Sequence, residues 1–247
     1  MYWPLPSIVS DCLNPDDLTP AQLINHFLPW LRIDWEITGE TKKQIGRLIR
    51  NSEFDLELLD YVKAKQECYY DSLAGQLNKK AINAELISPL LLGSGQKNAL
   101  EFGLLLHPTY CIPYIPGSSI KGLVSQVAYW EGAEEAEQMK VFGTQDQQGL
   151  VEFMDAYPHV KSGQLKLREE TLTTHYTEYY MGDTPPAPYL EPNPVMYFTL
   201  KEGCQFTFRL VGEESQVLET AEKWLKIGLA DYGIGAKTSL GFGRFMI

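Results

Sequence analysis

The stretch Gly233-Ile234-Gly235-Ala236-Lys237-Thr238-Ser239-Leu240-Gly241-Phe242-Gly243-Arg244-Phe245 joins a helical pattern to a β-like ending, and four glycines fall within its first eleven positions. Glycine adopts backbone conformations closed to other residues and puts no Cβ between the main chain and an approaching group. The segment therefore reads as a bare-backbone loop that a phosphodiester could approach closely, with Lys237, Thr238, Ser239 and Arg244 as donors. It is neither of the common nucleotide loops. A Walker A motif would need glycines where Asp231 and Ala236 stand, and the dinucleotide fingerprint would need one at Thr238 and a strand, not a helix, in front. The plain alternative is a glycine-rich connection before an edge strand.

Working outward, residues 215–232 place Leu218, Ala221, Leu225 and Leu229 at helical spacing, and residues 242–247 end the chain as a strand. Upstream, 195–200 and 205–211 alternate like strands, and Glu202-Gly203 between them predicts a hairpin. Residues 150–155 and 82–87 also read as strands. Phe102-Gly103-Leu104-Leu105-Leu106 reads as another, across the polar loop 93–98. Pro185, Pro186, Pro188, Pro192 and Pro194 mark an extended loop. Residues 18–78 are helical in texture: Thr19-Pro20-Ala21-Gln22 forms a capping signal, and a second stretch from Thr41 sets Ile45, Leu48 and Ile49 opposite Lys43, Arg47 and Arg50. Helices interleaved with several strands predict an α+β fold with helices on one face of a mostly antiparallel sheet. At 247 residues a single elaborated domain is expected, with 1–78 a helical N-terminal extension and 79–247 the core.

Composition narrows the function. The chain is 44% apolar without a run long enough to cross a bilayer, and its first residues lack a secretory pattern, so a cytoplasmic protein without a membrane partner is expected. Its four cysteines are dispersed, and no metal-ligand spacing or cofactor motif occurs. A net charge of −11 is the wrong sign for attracting phosphates by overall field. Nucleic-acid binding then requires a clustered basic face and backbone N–H donors.

A second constellation supplies such donors. In Tyr114-Ile115-Pro116-Gly117-Ser118-Ser119-Ile120-Lys121-Gly122 a Pro-Gly turn, two hydroxyls and a lysine stand at a helix start, where the unpaired N–H groups and the dipole favour an anion. The alternative is an ordinary Ser N-cap. Together the two segments resemble the paired hallmarks of the RAMP superfamily of CRISPR proteins. His107-Pro108-Thr109-Tyr110, Phe153-Met154-Asp155-Ala156-Tyr157-Pro158 and Thr174-His175-Tyr176-Thr177-Glu178-Tyr179-Tyr180 narrow the resemblance, over roughly residues 80–247, to the sixth RAMP subunit of type III-B (Cmr) effector complexes. The resemblance implies a ferredoxin-like (RRM-like) domain with added helices and loops. It also implies a subunit that binds CRISPR RNA, possibly touches target RNA, contacts neighbouring RAMP subunits and does not cut. The implied RNA contacts fall on Ser118, Ser119, Lys121, Gly235, Lys237, Thr238 and Arg244, beside the loop donor Ser239. The chain departs from the family at Cys111 (usually glycine), Ser125 (commonly arginine) and Thr174 (often proline).

Catalysis would need a base near a ribose 2′-hydroxyl, so His26, His107, His159 and His175 are the candidates. None has a partner by sequence spacing. His175, among Tyr176, Tyr179 and Tyr180, suits stacking on RNA, and His107 suits packing. The competing reading is a RAMP-type endoribonuclease processing precursor CRISPR RNA with one of these histidines as general base.

Overall fold

The computed structural model describes residues 46, 47, 49, 53–95, 104–160, 165–174, 182 and 193–247. The chain groups into two compact units, one of residues 1–52, 93–104 and 167–199, the other of 53–92, 105–166 and 200–247.

The second unit carries the ferredoxin-like frame. Strand β1 (Asn78–Leu86) leads to helix α2 (Gly117–Trp130), the short helix α3 (Glu135–Phe142) and strand β2 (Val151–Phe153); strand β6 (Gln205–Gly212) leads to helix α4 (Ser215–Ile227) and strand β7 (Phe245–Met246). The sheet order is β2-β6-β1-β7, with the two-residue strand β3 (Pro158–His159) also on β6. Strand β6 pairs antiparallel with β1, β2 and β3, and β1 with β7. This is the interleaving of two split βαβ units.

Alternation decides which face is inward. In β1 the even residues Ile82, Ala84 and Leu86 are buried, as are Phe206, Phe208 and Leu210 of β6. They meet Ile120, Val124 and Val127 of α2 and Leu218, Ala221, Trp224 and Leu225 of α4. Phe245 of β7 stands edge-on to Phe206 and Phe208, ring centroids 5.7 and 5.3 Å away, so the chain's last strand closes the same core. On the opposite face helix α1 (Leu56–Ser72) lies across one end of the sheet. Asp55 caps it by accepting from the Leu58 N–H, and its Tyr70 packs with Met154 and Val211. Arg209, only 9% exposed, reaches α1 through Gln66 (3.2 Å) and Glu67 (3.4 Å). The expected helical segment thus ends, in its described part, as a cover over part of the sheet.

The first unit contains strand β4 (Leu167–Thr174) paired with β5 (Asn193–Leu200), and Gly46, Arg47 and Ile49 in a helix, with Ile49 buried and Arg47 exposed as expected. The predicted hairpin is corrected here. Its strands exist, but β5 pairs with β4 and β6 with β1, β2 and β3. Gly203, at φ +97°, still turns the chain, and its N–H bonds to the Leu86 carbonyl, handing the next strand to β1. The strand predicted at 102–106 is also absent in its described part. Leu105 bonds back to Leu92, and Leu106 makes only an isolated bridge to Pro113. The helix start at Thr19, the proline-rich loop, His26 and His175 lie outside the described residues.

Candidate nucleic-acid interface

Three of the four loop glycines are required by the protein's own backbone. A Cβ on Gly243 would stand 1.9 Å from the Ile234 carbonyl oxygen, one on Gly235 2.4 Å from that of Leu91, and one on Gly233 2.5 Å from that of Phe242. All three have positive φ. The loop is laced down by Ile234 N–H to Gly243, Ala236 N–H to Leu91 and Gly243 N–H to Pro89. Only Gly241 has open space where a Cβ would be. The expectation of a backbone bared for a ligand therefore changes: glycine here lets the loop sit close on residues 89–91 and on β7, and that packing pushes its tip outward. The tip is a single 3-10 turn, Thr238–Leu240, preceded by Lys237 in the left-handed conformation (φ 60°). Ser239 and Leu240 are exposed, while Lys237, Thr238 and Arg244 are half-buried. Arg244 is held by its backbone, its N–H donating to the Ser88 hydroxyl and its C=O accepting from the Ile87 N–H.

At the other segment the helix forms as predicted, but the serines do not cap it. Pro116 is the N-cap, without a side-chain bond, and the Gly117 N–H donates instead to Asp155 Oδ1 at 2.7 Å. Gly117 must be glycine, because a Cβ would meet the Phe153 carbonyl at 2.0 Å. Asp155 thus supplies the anion that the helix dipole favours at this end. Ser118 is exposed and Ser119 half-buried, with the Ser119 and Ile120 N–H groups turned to the Pro116 carbonyl. Lys121 Nζ donates to the Phe142 carbonyl at the end of α3, 2.7 Å away, using one of its three protons and leaving two outward.

The helical path after α4 continues as a π-helical turn, Gly228–Tyr232, which runs beside the second half of α2: Gly228 lies against Leu123, and Tyr232 stacks on Trp130 with centroids 4.5 Å apart. The loop thus starts from the C-terminal end of α2, about 18 Å along the helix axis from Ser118.

Sequence spacing left His107 without a partner, and the fold supplies three. Its ring stacks on Tyr110 at 4.5 Å and lies 5.3 and 6.3 Å from Tyr114 and Tyr157. Its Nδ1 accepts from the Thr109 and Tyr110 N–H groups at 3.2 and 3.3 Å. Burial lowers its pKa, against the charge of Asp155. Burial, then Asp155, pushes the Tyr157 hydroxyl up to about 12. The ring is therefore neutral, with its lone pair committed at Nδ1 and its proton on Nε2. His159 has its Nδ1 2.6 Å from Lys63 Nζ, again an acceptor already engaged. The motifs containing His107, Asp155 and Tyr157 were visible in sequence; that they converge was not, because 48 residues of chain separate His107 from Asp155.

The sequence profile of the RAMP superfamily matches residues 83–245, and the chain belongs to that superfamily. Within it, the chain is similar to the CRISPR system Cmr subunit Cmr6 of Pyrococcus furiosus, 24% identical across 82% of this chain and 81% of the relative. It is also 28% identical to the Cmr6 subunit of Saccharolobus solfataricus, across 60% of this chain and 50% of that one. A solved chain in the type III-B Cmr-beta complex bound to cognate target RNA superposes with a TM-score of 0.70 at 25% identity, over 83% of this chain and 70% of that one. Both the ferredoxin-like fold and the family expectation from the sequence are borne out.

Proposed function

We propose that this chain is a non-catalytic, RNA-binding structural subunit of a type III-B CRISPR (Cmr) effector complex. It caps the RAMP filament near the 3′ part of the CRISPR RNA and works in antiviral defence in the cytoplasm. The observation that carries this reading is the similarity to Pyrococcus furiosus Cmr6 across four-fifths of both chains. The geometry supports it. The loop tip offers Lys237, the Thr238 and Ser239 hydroxyls, Arg244 and the exposed backbone of Gly235, and Ser118, Ser119 and Lys121 supply a separate set of donors at the start of α2. An RNA strand needs only positioning contacts from such groups. Non-catalysis is supported by the two described histidines, whose Nδ1 lone pairs are engaged so that neither is poised as a general base.

The test is to co-express the chain with its genomic neighbours, purify by a tag on it and sequence the bound nucleic acid, for the wild type and for Lys237→Ala with Lys121→Ala. A multi-subunit particle carrying short guide RNA, whose 3′ end loses nuclease protection in the double variant, is the expected result. A lone chain that cleaves repeat RNA would replace the reading with the processing nuclease.

A further inference from the structure

Two helical paths end at one exposed pair of aromatic rings. Helix α2 finishes at Trp130, and the path that begins as α4 finishes, after its π-helical turn, at Tyr232. The two rings stack with centroids 4.5 Å apart and planes 28° from parallel. Trp130 is nevertheless 51% exposed and the adjacent Tyr129 69%, so ordered aromatic surface stands open where such rings are normally covered.

The charges that accompany this surface have one sign. A helix C-terminus carries about half a negative charge on its unpaired carbonyls, and two such ends meet here. Neither the last turn of α2 nor the π-helical turn contains a basic residue to balance it. Carboxylates add to it instead. Glu131 is the C-cap of α2, Asp231 directly precedes Tyr232, and Glu134 and Glu135 begin α3. All four are exposed, and among the described residues none of their side chains holds a hydrogen bond or ion pair. No lysine, arginine or histidine occurs from 122 to 139 or from 227 to 236.

We infer that the Trp130–Tyr232 pair is a docking site for a basic segment of another protein subunit, with an arginine laid on the Trp130 ring and its N–H groups turned to Glu131 or Asp231. Charge complementarity selects the occupant. An aromatic face attracts a cation, tryptophan most strongly, and a guanidinium is flat enough to stack while its in-plane donors stay free for a carboxylate. A nucleobase can stack on Trp130 as well, but its phosphates would then stand in the field of two helix C-termini and four carboxylates. A second copy of a chain carrying −11 is repelled in the same way. With 32 acidic residues against 21 basic ones in this chain, the basic segment belongs to a partner. Naming that partner as a subunit rests on the complex-subunit reading, whereas the preference for a cation does not depend on it or on the RNA contacts proposed above.

The experiment places the photo-crosslinker p-benzoylphenylalanine at position 129 of the full chain, co-expressed with its genomic neighbours, and maps the crosslinks by mass spectrometry. The expected product joins position 129 to an arginine- or lysine-containing peptide of a neighbouring subunit. Reversing the rim with Glu131→Arg and Asp231→Arg breaks no side-chain bond, so the melting temperature should hold while recovery of that subunit falls at least about tenfold. Glu131→Gln with Asp231→Asn removes the charge without added bulk and should give a smaller loss of the same kind, which separates the effect from misfolding. An assembled particle in which position 129 crosslinks to RNA, to a second copy, to this chain itself, to a peptide without a basic residue or to nothing overturns the inference and leaves the subunit reading standing. So does a particle that neither pair of rim variants changes. A wild-type chain that purifies without partners removes the subunit reading and the docking site with it.

Discussion

Lys237 and Cys111 are the described non-glycine residues with positive φ, at 60° and 57°, a conformation that costs an L-residue roughly 1–2 kcal/mol. At Cys111 the strain has no evident return, so Cys111→Gly should raise stability. Relief of about 1–2 kcal/mol is set against about 0.5–1 kcal/mol of added chain entropy, and denaturant unfolding should show a net gain of up to about 1.5 kcal/mol. At Lys237 the side chain stands at the loop tip. Lys237→Gly should therefore hold or raise stability while weakening RNA binding in a filter or anisotropy assay, which separates the charge from the fold. If binding is unchanged while the melt rises, Lys237 is only a strained turn residue. His107 gives a pH signature. Its pKa is lowered by burial, so the unfolded chain binds its proton more readily, and the stability it contributes is present above about 6.5 and lost as pH falls below that value. Melting temperature should drop between pH 7 and pH 5, and the drop should shrink in His107→Gln.

The glycine loop and the start of α2 make predictions as elements, because each depends on how closely one backbone approaches another. Gly243→Ala puts a methyl group inside the Ile234 carbonyl and should cost at least about 2 kcal/mol. Gly241→Ala meets nothing within 4 Å and should cost only its backbone strain, about 1–2 kcal/mol. A chemical-denaturation series on the two, read with RNA binding, should rank them in that order. Gly117→Ala should also destabilise, although alanine is the better helix former by about 1 kcal/mol, because the Phe153 carbonyl occupies the space. None of these costs is legible locally. The glycine spacing announces a loop, but the carbonyls that demand it, those of Leu91, Ile234 and Phe242, come close only in the folded chain. In the same way the Pro-Gly-Ser-Ser run announces a helix start, yet the capping carboxylate is Asp155, 38 residues onward.

For the whole molecule, a net charge of −11 and three cations at the candidate interface, Lys121, Lys237 and Arg244, imply weak RNA binding by the isolated chain. With about −0.7 per neutralised phosphate on a single strand, the slope of log affinity against log salt should be no steeper than about −2. A slope near −5 would mean that a basic surface elsewhere dominates.

By itself the sequence determined the βαβ elements, the face each turns inward, the glycine loop and the superfamily, because periodicity and turn chemistry are local and survive in one dimension. Only the tertiary structure decided partners. Residues 195–200 and 205–211 look like a hairpin because alternation and a Glu-Gly turn specify strands without specifying neighbours. Phe206 and Phe208 go instead to a core completed by Ile82 and Phe245, which draws β6 against β1, while β5 pairs with β4. The Asp155 cap, the Gly235 contact with Leu91 and the aromatic setting of His107 are likewise meetings of residues far apart in the chain. They are decided by which apolar faces bury each other, a free energy of the folded whole that no local window contains.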